Sequence, residues 1–119
     1  MADVAALDAI LHELEAAESV EHAILVSRSG MHIAGTVPTG AHPETFVAMF
    51  AILLGAAETA TSELKERLES VVINMGEGKI VIANGGPKAI LVLRAAAAAD
   101  ARRIAQNLGR YVPRLQEYL

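Results

Sequence analysis

Four histidines, His12, His22, His32 and His42, recur every ten residues, and imidazole is a common metal ligand. Ten is neither a helical nor a strand repeat. His12 falls in a helical segment and His42 in a connection. His22 and His32 fall in paired strands without lying opposite one another. The spacing therefore reads as four solvated or partly buried histidines and no metal site. Gly76-Glu77-Gly78-Lys79 invites a phosphate-loop reading. Such a loop needs a glycine five residues before its Gly-Lys pair, a following Ser or Thr, and a helix to open. Here Ile80 follows Lys79, the first glycine is missing, and the segment leads into a strand. Val81 occupies the third glycine position of a dinucleotide fingerprint. Both glycines are explained by a hairpin turn.

No Ser-His-Asp or Cys-His arrangement is suggested, and the carboxylates lie mostly on helix exteriors, with no pair placed for acid–base work. One arginine stands out for chemistry in trans. An arginine can act in trans on a GTPase, and Arg28, at a hairpin tip, is the best-exposed candidate; a solvated charge at a strand end is the plainer account. The residues point to no catalytic group, no cofactor and no metal.

The 119 residues fit one domain, 1–119. The chain is 53% hydrophobic but only 3% aromatic, without Trp. Its core must be aliphatic, and no aromatic platform exists for stacking nucleobases. The net charge of −4 and the lack of a basic cluster disfavour nucleic acid and anionic membrane surfaces. The absence of cysteine excludes disulfides and thiolate metal sites and fits a cytoplasmic protein. Asp3, Asp8 and Glu13 interrupt the N-terminus, which is neither a signal nor a transit peptide.

The elements follow from pattern. Asp3 is an N-cap for a first helix, with Val4, Leu7, Leu11 and Leu14 at helical spacing and an end near Glu18. His22–Arg28 and Met31–Val37 flank Ser29-Gly30, which predicts a hairpin with Val26 facing Ile33 and Leu25 facing Ala34. Pro43 suits the first turn of a second helix and Glu44 suits its dipole. That helix is predicted to run to about Glu66, roughly 35 Å. Val71–Met75, Lys79–Asn84 and Lys88–Arg94 form a meander of three strands. The alanine run 95–99 is read as helix-forming and leads through Asp100 into a last helix with Ile104, Leu108, Tyr111 or Val112, and Leu115 on one face. Pro113 must kink or break it. Hairpin connections make the sheet antiparallel, and strands apolar on both faces call for helices on both sides.

The second helix carries the strongest signal. Phe46 to Ala57 contains no charge, yet it is shorter than the roughly 20 residues of a membrane span, so a buried helix is predicted. By angle, Phe46, Phe50, Leu53, Ala57 and Leu64 share one sector, expected on the sheet. Met49, Ile52, Ala56 and Ala60 lie beside it. Ala48, Ala51, Gly55, Thr59 and Ser62 form a stripe of small side chains. A helix apolar on two sides exceeds what a small chain can cover. Met49, Ile52 and Ala56, or the small stripe with Ala48, Gly55 and Thr59, are therefore expected to meet the same helix of a second subunit.

The hairpin Ile24–Ala34, the long apolar helix after it, and the meander from Val71-Val72-Ile73-Asn74-Met75 through Gly78–Ile82 to Ala89–Val92 together resemble the Roadblock (dynein light chain) superfamily, in its prokaryotic form, over nearly the whole chain. The resemblance implies an α+β fold of profilin-like or longin-like type, ordered α-β-β-α-β-β-β-α. Its five-stranded antiparallel sheet would lie between the long helix and the two terminal helices. It implies a homodimer, or a heterodimer with a paralogue, in which long helices pair and third strands join edge to edge through Val71, Val72 and Ile73. It also implies a non-enzymatic adaptor or regulator of a Ras-like small GTPase, as scaffold or activating partner, with no membrane insertion. A small-molecule sensor domain of similar architecture is the alternative; the nearly all-aliphatic strands, interrupted mainly by Asn74 and Asn84, argue for a filled core instead.

Overall fold

The structure, a computed structural model, describes residues 2–119. Helix α1 (Val4–Glu18) starts where the Asp3 carboxylate accepts the Ala6 N–H at 3.1 Å, satisfying one of the unpaired donors of a helix start. It buries Leu7, Ile10, Leu11 and Leu14. Strands β1 (Val20–Ser27) and β2 (His32–Ala34) follow, then α2 (Pro43–Ser62), β3 (Ser70–Asn74), β4 (Gly78–Asn84) and β5 (Ala89–Ala96). The C-terminal helix is broken into α3 (Ala101–Asn107), a 3-10 turn at Leu108–Arg110, and α4 (Val112–Gln116), with Pro113 in the first turn of α4. The break expected at Pro113 is present. Ile104, Leu108, Tyr111 and Leu115 all face inward.

The five strands form one antiparallel sheet in the order β2-β1-β5-β4-β3. Strand alternation splits the core. Leu25, Leu91 and Leu93 pack with Leu7, Leu11, Leu14 and Leu115 on the side of α1, α3 and α4. Ile24, Val26, Ile82, Ile90 and Val92 pack with Val47 and Leu54 of α2 on the other. Each such side chain contributes about 1.5–3 kcal/mol when fully withdrawn from water.

Three details depart from the pattern reading. In the β1–β2 hairpin Leu25 pairs with Ala34 as expected, but Val26 pairs with His32, not Ile33. The loop is longer than two residues: the Ser27 N–H donates to the Met31 carbonyl at 2.8 Å, and the Met31 N–H donates to the Ser27 hydroxyl at 2.9 Å. The resulting irregularity slips the register by a residue. Helix α2 stops at Ser62 rather than Glu66. The Thr61 and Ser62 hydroxyls bond back to the carbonyls of Ala57 (2.8 Å) and Thr59 (2.7 Å), and Lys65 turns left-handed at φ 56°. The alanine run is not helical. Ala95 and Ala96 finish β5, where Ala95 pairs with Val20 and Lys79 and is fully buried. Sheet pairing outweighs the helix preference of alanine here. Lys79 Nζ then donates to the Ala99 carbonyl at 2.7 Å and pins the turn.

Candidate interaction surface

Helix α2 seats on the sheet through Val47, Ala51 and Leu54, at helical spacing. Phe46 and Phe50 are half-buried on its flank, with ring centroids 4.8 Å apart in an edge-to-face pair. This corrects the sector expected on the sheet. Phe46 and Phe50 reach it only from the side, while Leu53 (37% exposed) and Leu64 (68%) face solvent. The small Ala51 at the centre of the contact lets the helix lie close to the strands, and the longer side chains flank that line.

The opposite side of α2 is apolar and open. Met49 is 51% exposed and Ile52 61%. Gly55, Ala56 and Thr59 continue the same face and are exposed. Ala48 is half-covered, because the Gly30 backbone of the hairpin loop packs on it. Leu53 belongs to this open face and not to the inward sector. Helix α2 is long and apolar enough to cross a membrane by length and composition.

Strand β3 is an edge of the sheet. Val71 and Ile73 lean on the α2 side of the core, and Val72 is 40% exposed. An exposed five-residue apolar edge is a template for pairing with another strand. The other edge, β2, has three residues.

Arg28 is engaged within the fold. Its Nη1 donates to Glu58 Oε1 on α2 at 2.9 Å, and its Nη2 donates to Asn84 Oδ1 at the end of β4 at 2.6 Å. Asn84 Oδ1 also accepts the Gly86 N–H at 3.0 Å. This bridge was not foreseen; its partners are 30 and 56 residues away in sequence. A second ion pair, Glu13 with Arg114, is bidentate at 3.0 and 2.7 Å. The hydrogen bond from Arg114 holds the Glu13 carboxyl below its ordinary range and raises the guanidinium in turn.

The histidines stay apart in role. His12, His32 and His42 are exposed and His22 is half-buried. His32 Nε2 donates to the Gly35 carbonyl at 2.6 Å, and His42 Nδ1 accepts from Thr45 at the start of α2. Among the described residues no group of three or more His, Asp or Glu side chains is placed to hold a metal. Gly76 and Glu77 form the β3–β4 turn, closed by the Met75 N–H donating to the Gly78 carbonyl at 2.8 Å. A cleft of about 780 Å³ opens between residues 67–69 and the C-terminal helices, lined among others by Asn84, Gln106, Leu108 and Val112. No buried polar side chain of the described residues is aimed into it.

The sheet, the long helix after the first hairpin and the closing meander match the family model of the Roadblock/LC7 domain over residues 6–95. The chain belongs to the Roadblock/LC7 family. A relative in Methanocaldococcus jannaschii, the uncharacterized protein MJ0714, is 31% identical over 88 residues, which are 73% of this chain and 75% of that one. Among solved structures, the gliding protein MglB from Thermus thermophilus superposes with a TM-score of 0.81 at 19% identity, over 97% of this chain and 89% of that one. MglB in a tetrameric arrangement gives 0.82 at 20% identity, over 98% and 92%. At those identities the likeness is one of fold. The architecture is profilin-like, as the resemblance implies. The Roadblock/LC7 match ends within β5, so α3 and α4 lie outside it.

Proposed function

We propose that this Roadblock/LC7 chain is a non-enzymatic cytoplasmic adaptor that self-associates through α2 and β3 and binds a Ras-like small GTPase, as scaffold or activating partner. The observation that carries the reading is the open apolar face of α2. Its inner side is already seated on the sheet, so Met49, Ile52, Leu53 and Ala56 need a cover from outside the chain. A patch of this kind on a small domain marks an interaction site.

The pattern of sizes on that face favours a second copy over lipid. Large side chains, Met49, Ile52 and Leu53, occupy its N-terminal half, and small ones, Gly55, Ala56, Thr59 and Ala60, the C-terminal half. In an antiparallel pair centred between Leu54 and Gly55, Met49 lies opposite Ala60 and Leu53 opposite Ala56. Met49 and Leu53 then each meet a small side chain, as ridges packing into grooves allow. A two-fold axis also lets one β3 edge meet the other in a self-complementary contact. MglB, of similar fold, is known in a tetrameric arrangement. The GTPase partner is supported by the family likeness and by the similarity to the gliding protein MglB. For Arg28 to touch that partner, it would have to leave Glu58 and Asn84.

The test is a titration of the purified chain with small GTPases from the same cell, each loaded with GDP and with a GTP analogue, alongside their hydrolysis rates. Binding in one nucleotide state supports the reading. No binding in either state refutes the GTPase assignment.

A further inference from the structure

The β1–β2 hairpin tip touches α2 at two points. Gly30 packs on Ala48: a Cβ at Gly30 would lie 3.2 Å from the Ala48 Cα. Arg28 reaches Glu58. The two points are ten residues apart on the helix, or about 15 Å. Between them the helix is also fixed by Ala51 and Leu54 on the sheet. Beyond Leu54 the anchoring changes. No residue from Gly55 to Ser62 is fully buried. The Thr61 and Ser62 hydroxyls bond only to α2 itself. Among the described residues, Glu58 with Arg28 is the side-chain hydrogen bond that joins this stretch to the rest of the fold.

The Arg28 side chain is 34% exposed, against 38% for Glu58, and the second limb of its guanidinium is tied down. Asn84 Oδ1 is held in place by the Gly86 N–H, which demands an acceptor there. Arg28 therefore spans from a fixed point on β4 to a carboxylate on α2, using the forked geometry that lysine lacks.

We propose that Arg28 is a positioning residue: it holds the C-terminal half of α2, and with it Gly55, Ala56 and Thr59, at a fixed place on the sheet. Those three residues belong to the self-association face, so the proposal rests on that reading for its effect on assembly. Its effect on the helix is separate. An exposed ion pair alone is worth little. A charged donor held between two acceptors, on a stretch with no buried anchor, is worth more.

The experiment compares wild type with Arg28→Ala, Glu58→Gln and Arg28→Lys, by hydrogen–deuterium exchange and by sedimentation over a concentration series. In Arg28→Ala and Glu58→Gln the amides of Glu58–Ser62 should exchange about three to ten times faster. Those of Val47–Leu54 should keep their rates, and the dimer dissociation constant should rise by a similar factor. Arg28→Lys, which can meet one acceptor at a time, should fall between. Unchanged exchange at 58–62, or a uniform rise over the whole chain, overturns the proposal. A monomeric wild type whose variants still show the local rise supports the positioning role and refutes only the self-association reading.

Discussion

Ile52→Asp separates the fold of the single chain from its assembly. Ile52 is 61% exposed on α2, so its removal leaves no cavity. The change in helix propensity is a few tenths of a kcal/mol, and surface substitutions of this kind alter folding stability by about 0.5 kcal/mol or less. In the pair the arithmetic differs. Fully burying an isoleucine side chain is worth about 1.5–3 kcal/mol. The fraction still exposed in the single chain leaves roughly 1–2 kcal/mol for the partner to collect. A two-fold interface counts the site twice, giving roughly 2–4 kcal/mol, or about thirtyfold to several hundredfold in dissociation constant. Desolvating the new carboxylate adds to that loss. Sedimentation from nanomolar to about 100 micromolar protein reads the constant, and thermal unfolding at two concentrations reads the coupling of assembly to stability. Val4→Asp is the control: Val4 is 48% exposed, but on α1 across the sheet. The reasoning is refuted if the wild type is a monomer throughout. It is equally refuted if Ile52→Asp and Val4→Asp leave the same constant.

Three further outcomes test local arguments. Gly35 has φ +87°, and a Cβ there would overlap the Ala23 carbonyl oxygen and lie 2.9 Å from the Ile24 Cα; Gly35→Ala should lose at least about 2 kcal/mol in a urea titration, and a loss under about 0.5 kcal/mol would contradict the steric account. Lys65 is left-handed at φ 56° just past α2, so Lys65→Gly should gain up to about 1 kcal/mol in the same titration, and a loss would show that its side chain has a role this backbone argument omits. Because Arg114 lowers the Glu13 carboxyl below its ordinary 4.5, the pair's contribution is present above that value and fades as pH falls through the lowered one. The melting-temperature gap between wild type and Glu13→Gln should therefore be open at pH 7 and close below pH 4.5; a gap that persists in acid would rule out the ion pair as its source.

Much of the fold was legible because its signals are local. Glycine-bearing turns between β-branched apolar runs placed the β3–β4 and β4–β5 hairpins. Asp3, Pro43 and Pro113 act on the backbone within a turn or so of themselves, and the structure puts each where its chemistry demanded. Two of the misses have a common cause. Ala95 becomes a strand residue because Val20 and Lys79 flank it, and neither is near it in sequence. Arg28 meets Glu58 and Asn84 only after three elements are assembled. Intrinsic preference is a weak prior wherever such distant partners exist.

The rotation of α2 is the miss that bears on function. The angular reading placed Phe46, Phe50 and Leu53 on the sheet, where large side chains gain most from burial. The strands beneath α2 already present Ile24, Val26, Ile82, Ile90 and Val92. A floor that full accepts a helix only through a modest line such as Val47, Ala51 and Leu54, because interiors are close-packed and an added bulky layer would lift the helix away. The large residues are thereby displaced to the flank and the outer face. Helix α2 keeps Met49, Ile52 and Leu53 uncovered because the sheet has no room for them, and an apolar surplus of that origin can be removed from water only by another molecule.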